Sequence, residues 1–106
     1  VTFPFKIKEE KPMSEDEPVR IPIDGVLDLH AFRAEHVKDL VPEYLEECRR
    51  RKIYYVRIIH GKGTGALRRT VHSLLARNPH VLRFETADLG AGGWGATEVI
   101  LKPGST

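Results

Sequence analysis

The sequence predicts a two-layer α/β sandwich, β-α-β-α-β-β, in which a mixed four-stranded sheet carries both helices on one face. Three observations predict it. Two stretches with apolar residues three and four apart alternate with short runs rich in β-branched and aromatic residues. The first three runs are joined by helices and should lie parallel with right-handed crossovers, whereas a glycine-rich loop joins the last two into an antiparallel pair. Within the runs, apolar and polar side chains alternate, so one sheet face is covered and the other is partly wet.

Residues 1–20 are rich in proline and charge and lack periodicity. They read as a flexible leader, disordered or laid along the surface, whose start Phe3 and Phe5 could tack onto the body. A domain over 21–103 and a short tail at 104–106 follow. The first strand is Val26 to His30. The first helix is 34–51, with Ala34, Val37, Leu40, Val41, Tyr44, Leu45 and Cys48 on one face. Pro42 inside it should kink or split the helix at Val41. Arg49, Arg50, Arg51 and Lys52 suit its negative end as a solvated patch.

The second strand is 53–59 and the second helix is about 66–77, with Leu67, Val71, Leu74 and Leu75 on one side. Asn78-Pro79 stops that helix. The last two strands are 81–87 and 97–102, joined by a flexible loop, Asp88 to Gly95. In the third strand Leu82, Phe84 and Thr86 should share a face opposite Arg83 and Glu85. The open face of the sheet should display Asp28, His30, Arg57, Arg83 and Glu98.

Composition narrows the function classes. The 106 residues suit one domain with a modest core. No stretch approaches the roughly 20 apolar residues of a membrane span, so no membrane role is expected. The single Cys48 excludes an internal disulfide, suits a reducing compartment and so a cytoplasmic location, and lies on an apolar helix face where it should be buried and inert. The formal charge is only +2, but residues 1–24 carry four basic against six acidic side chains, so the body is mildly basic. That permits nucleic acid as a partner.

The chemistry concentrates where the second strand meets the second helix. His60-Gly61-Lys62-Gly63-Thr64-Gly65 is a tight turn opening a helix. Three alternate glycines let the backbone approach a ligand, and a helix amino terminus favours an anion. Lys62 adds a cation, and Arg68 and Arg69, one turn into the helix, suit a backbone phosphate. This is not a Walker P-loop, because the spacing G-x-x-x-x-G-K-S/T is absent. Strands one and two both end in histidine, His30 and His60. If they are neighbours, both imidazoles, Asp28 and the glycine turn should meet at one edge, parts suited to cleaving a phosphodiester. Either histidine could equally be a packing residue, and Asp28 could simply orient His30. Trp94 could stack on a base or fold over the core. His36, His72 and His80 show no ligand spacing. No carboxylate cluster suits a two-metal site.

Three segments together resemble the small MutS-related (Smr) domain. They are Leu27-Asp28-Leu29-His30, His60 to Arg68, and Gly92-Gly93-Trp94-Gly95-Ala96-Thr97-Glu98-Val99. The resemblance covers about 22–103 and is to the short, stand-alone bacterial type. It implies a fold like the carboxyl-terminal domain of bacterial translation initiation factor three, nucleic-acid binding and, in many members, endonuclease activity. Some members are fused to a MutS-like ATPase and nick DNA, which ties them to DNA repair or recombination, or act on collided ribosomes; others cut RNA.

Residue by residue, the resemblance implies cleavage roles for Asp28, His30 and His60. It ties His60, Gly61 and Gly63 to nucleic-acid contact, and makes Gly92, Gly93, Gly95 and Thr97 a structural loop. Ala31-Phe32 stands where the family usually has glycine, adding bulk beside His30. The resulting expectation is an endonuclease acting on DNA or RNA. Asp28, His30 and His60 transfer or direct protons, while Lys62, Gly61, Gly63, Thr64, Gly65, Arg57, Arg68, Arg69 and Trp94 hold nucleic acid. A divalent ion, magnesium or manganese, is left open as cofactor. Two alternatives stand beside it: a non-catalytic module binding nucleic acid or the ribosome, and a protein-interaction domain.

Overall fold

The computed structural model describes residues 2–5, 19–30, 32–61, 63, 65–87 and 95–103. Six strands and two helices run in the order β1 (Thr2–Phe5), β2 (Val19–Pro22), β3 (Val26–Asp28), α1 (Ala34–Arg50), β4 (Tyr55–Ile59), α2 (Ala66–Arg77), β5 (Val81–Thr86) and β6 (Ala96–Leu101). From β3 onward this is the expected β-α-β-α-β-β sandwich. Its four-stranded sheet has the order β3-β4-β6-β5. β3 and β4 are parallel, and β6 runs antiparallel to both β4 and β5. The three helix-linked strands therefore share one direction, and β6 lies between two of them.

Alternation decides which face is covered. Leu27, Val56, Ile58, Thr97, Val99 and Leu101 are buried in one shared face, and residues of both helices join the same core. Arg57, Glu98 and Asp28 take the opposite parity, and Asp28 is exposed. The expected pattern fails in β5 alone. A register shift between Val81 and Arg83 sets Val81 opposite Leu101 and Phe84 opposite Val99, leaving Leu82 58% exposed. The extra residue of a β-bulge moves one side chain off its face.

At the N-terminus Phe3 and Phe5 tack the chain onto the body as expected, but the segment carrying them is regular. Thr2–Phe5 is not irregular leader but a strand paired antiparallel with Val19–Pro22. Phe3 and Phe5 are buried, with Phe3 edge-on to Tyr44 and Phe5 edge-on to Phe32. Each such ring contributes on the order of 2–3 kcal/mol through burial, enough to hold a short hairpin down. Most of the remaining leader, 6–18, and the tail at 104–106 lie outside the described residues.

Helix α1 is continuous through Pro42, not split at Val41. The bond that proline removes belonged to the carbonyl of Lys38, an exposed residue, and packing holds the helix instead. Val37, Leu40, Val41, Tyr44, Leu45 and Cys48 are all buried. Burial pushes the Cys48 thiol up to about 11, which keeps it unreactive at neutral pH.

Two features of α1 give stability predictions. At its end, Lys52 N–H donates to Arg49 O at 3.0 Å and Ile53 N–H to Cys48 O at 2.8 Å, with Lys52 at φ +63°. That is a Schellman cap with lysine where glycine is favoured. Lys52→Gly should raise stability by about 0.5–1 kcal/mol, measured by urea unfolding.

Inside the core, the Tyr44 hydroxyl accepts the Gly25 N–H at 3.2 Å and lies 3.2 Å from the Pro22 and Val26 carbonyls. It ties the turn before β3 to α1, and burial pushes the phenol above its ordinary pKa. Gly25 itself is obligatory: φ is +89°, and a Cβ would lie 3.1 Å from the Tyr55 carbonyl. Tyr44→Phe should cost about 1–3 kcal/mol in the same experiment, because the Gly25 N–H loses its acceptor.

Candidate functional site

The carboxyl ends of β3 and β4 form one edge of the sheet. Asp28 pairs with Ile59, and Leu29 N–H donates to Ile59 O at 2.9 Å. Both histidines do lie at this edge, as expected, but not on one side of it. Asp28 follows the parity of the open face, whereas His60 continues the core-facing series Val56, Ile58. The expected meeting of both imidazoles in one pocket is therefore corrected: alternation along adjacent strands sends them to opposite faces.

On the open face, Asp28 Oδ1 accepts the His30 backbone N–H at 3.0 Å and lies 2.8 Å from His30 Nδ1. The backbone N–H is the largest influence holding the Asp28 carboxyl below its ordinary pKa, and the imidazole adds to it. An ionised carboxylate accepts, so Nδ1–H donates to it, and in the neutral ring Nε2 keeps the lone pair. The His30 side chain is 80% exposed, so Nε2 is open to a substrate. Phe32 does not crowd it, because that ring packs against Phe5 and the core. Arg57 shares this face, opposite Val26 and Glu98, with a buried Nε that lacks a partner among the described residues.

On the helix face, His60 is only 6% exposed. Its Nδ1 lies 3.1 Å from Gly61 O, and its Nε2 lies 2.8 Å from Thr97 Oγ1. The same hydroxyl lies 2.8 Å from His72 Nε2. A carbonyl can only accept, so Nδ1–H donates to Gly61. His60 Nε2 must then accept the Thr97 proton, and Thr97 accepts from His72 Nε2–H. Every hydrogen of this chain has one direction. Burial depresses the pKa of both imidazoles and the positive charge of Arg68 lowers them further, while the bond to Gly61 opposes the fall at His60. Both rings are thereby favoured neutral.

His72 is the residue that sequence spacing missed. Nothing periodic links positions 60, 72 and 97. The available signal was Thr97, a polar side chain in an apolar series with Val99 and Leu101, which required a buried partner.

Gly61, Gly63 and Gly65 have φ of +81°, +34° and +89°, and Cβ atoms at Gly61 and Gly63 would meet nothing within 4 Å. Conformation, not crowding, requires glycine there. One expectation needs correction. The Gly61 amide donates to Gly95 O at 2.9 Å, beside the His60 amide at 2.8 Å, so it is not available to hold a phosphate. Gly95 O thus ties down the end of β4, and Thr97 Oγ1 lies between the two imidazoles. Arg68 lies by the buried His60 and the half-buried His72, and Arg69 rises beside Gly65. Lys62, Thr64, Gly92, Gly93 and Trp94 lie outside the described residues, as does Ala31. Among the described residues, no three His, Cys, Asp or Glu side chains gather as a metal-binding group, and no helix is long and apolar enough to cross a membrane.

Comparison with known proteins now bears on this edge. The family model described as Smr domain matches residues 27–102, from the start of the Leu27–His30 segment to the residue after β6. The chain belongs to the Smr domain family. The Smr domain of Thermus thermophilus MutS2 superposes with a TM-score of 0.72 at 38% identity, covering 76% of this chain and all of that one. YdaL, a stand-alone small MutS-related protein from Escherichia coli, gives 0.70 at 28% identity, covering 76% and 66%. Endonuclease MutS2 of Halothermothrix orenii is 34% identical over 102 residues, 96% of this chain. Endonuclease MutS2 of Clostridium botulinum (strain 657 / Type Ba4) is 39% identical over 80 residues, 76% of this chain. The chain spans only 13% and 10% of those two relatives. At the level of the family, this Smr chain is related to nucleic-acid-binding and nuclease domains.

Proposed function

We propose that this Smr domain binds DNA or RNA at the carboxyl edge of its sheet and cleaves a phosphodiester there. One observation carries the reading: an exposed imidazole whose tautomer is set by an ionised carboxylate, at an edge beside an exposed glycine turn. His30 Nε2 takes the proton of the attacking oxygen, which adds to phosphorus as the bond to the leaving oxygen breaks. The imidazolium then returns the proton to the leaving oxygen. Asp28 holds Nδ1–H and stabilises the imidazolium, and Arg57 on the same face offsets charge developing on the phosphate. His60 is here a positioning residue, because both its ring nitrogens are engaged. That the relatives carrying this domain are named endonucleases supports the reading.

The test is a single-turnover assay on end-labelled RNA and DNA, with magnesium, with manganese and with chelator. Parent, His30→Ala and Asp28→Asn are compared. Equal rates in all three would assign the cutting to a contaminant and end the proposal. A second reading has its own support. With His60 buried and engaged, the edge offers one exposed imidazole rather than two, which suits a module that binds nucleic acid or the ribosome in the cytoplasm without cutting. It predicts salt-sensitive binding and no cleavage under any metal condition.

A further inference from the structure

The helix layer carries a second feature, distant in kind from the proton chemistry. Lys38 of α1 and Arg69, Thr70, Ser73 and Arg77 of α2 line a groove of about 430 Å³, and among the described residues no carboxylate lines it. Among the described residues, none of its three cations makes an ion pair or side-chain hydrogen bond. The richer basic run at the end of α1 is the opposite case. There Arg49 lies 3.1 Å from Glu46, Arg50 3.0 Å from Glu47, and Arg51 2.9 Å from Glu47. Each of those three arginines thus has a carboxylate partner, two of them sharing Glu47, whereas the cations of the groove have none among the described residues. Uncompensated cations cost self-repulsion, which a polyanion would relieve.

We propose that this groove holds the sugar–phosphate backbone of a nucleic-acid strand, outside the cleavage edge. The inference rests on the nucleic-acid reading given above and adds the track along which the strand lies. Arg69, Ser73 and Arg77 are successive i, i+4 positions, so they form a row about 12 Å long. Over that length one strand of a duplex presents roughly three to four phosphates. Ser73 and Thr70 supply hydroxyl donors between the cations, and Lys38 faces them from α1. Among the described residues no aromatic side chain lines the groove, so its cations and hydroxyls contact the backbone rather than the bases. The groove begins at Ala66, beside the glycine turn, so a strand lying in it leads toward the carboxyl edge of the sheet.

Fluorescence anisotropy of the full chain with labelled single-stranded and duplex oligonucleotides, between about 50 and 200 mM salt, tests this. Lys38→Gln/Arg77→Gln is compared with Arg50→Gln/Arg51→Gln, an equal change of net charge at exposed, ion-paired positions. The groove pair should weaken binding roughly tenfold and reduce the slope of log affinity against log salt by about 1.5, at about 0.7–0.9 per phosphate contact. The control pair should leave the slope unchanged. Equal behaviour of the two double variants overturns the groove, even if His30→Ala still abolishes cleavage. Displacement of the oligonucleotide by polyglutamate at equal charge also overturns it, pointing to an acidic protein instead. If the parent binds no nucleic acid at all, the cleavage proposal falls with it.

Discussion

His30→Ala should slow single-turnover cleavage by about 10²- to 10⁴-fold, the range for losing a positioned proton-transfer group. The melting temperature should stay where it is. The side chain is 80% exposed, and its one bond is to a carboxylate that is itself 47% exposed. Removing it opens no cavity and strands no buried group. Asp28→Asn should cost less, about 10- to 100-fold. The His30 backbone N–H keeps the amide oxygen toward the ring, where it can still accept Nδ1–H, while the charge that stabilises the imidazolium is lost in a solvent-screened setting. His60→Ala is the informative contrast, because it should lower cleavage only together with stability. A His60→Ala protein that melts like the parent yet fails to cut would return that residue to the chemistry and displace His30 from its assigned role.

How far the sequence reached depends on whether a signal was local. The bounds of α2 were legible because Gly65 and Asn78-Pro79 mark its two ends within a few residues. The parity of β3, β4 and β6 was legible because alternation repeats every two residues. The bulge at Leu82 was not, since inserting one residue in β5 is settled by the facing strand rather than by β5 itself. Nor was the hairpin of β1 and β2, whose partners lie on either side of a long charged segment. The site divided in the same way. Two histidines at strand ends marked the right edge. Which face each ring takes followed from parity that was already readable: Asp28 alternates with Leu27 and Leu29, and His60 continues Val56 and Ile58. Only His72 required the folded chain, because a helix side chain meets a strand side chain through tertiary packing alone.

The other large effect concerns that buried chain. Thr97→Val keeps the shape of a side chain with no solvent exposure and deletes its hydroxyl. His60 Nε2 loses its donor and His72 Nε2–H its acceptor in one substitution. A buried group left without a partner costs about 1–3 kcal/mol and the half-buried His72 less, so the variant should lose about 2–4 kcal/mol, or roughly 10–25 °C in melting temperature. Thr97→Ser retains the hydroxyl and should lose far less. The parent should also show a directed pH dependence. Both imidazoles have folded pKa values below their ordinary 6.5, so the unfolded chain takes up protons first as pH falls. The stability held by the neutral pair is complete above about pH 6.5 and is lost as pH drops from there through the folded pKa values. Urea unfolding of parent, Thr97→Val and Thr97→Ser at about pH 7.5 and 5.5 measures both effects. A valine variant as stable as the parent at the higher pH would mean the hydroxyl does not link the two rings. The neutral, one-directional chain that keeps His60 out of the proton chemistry would then have no support.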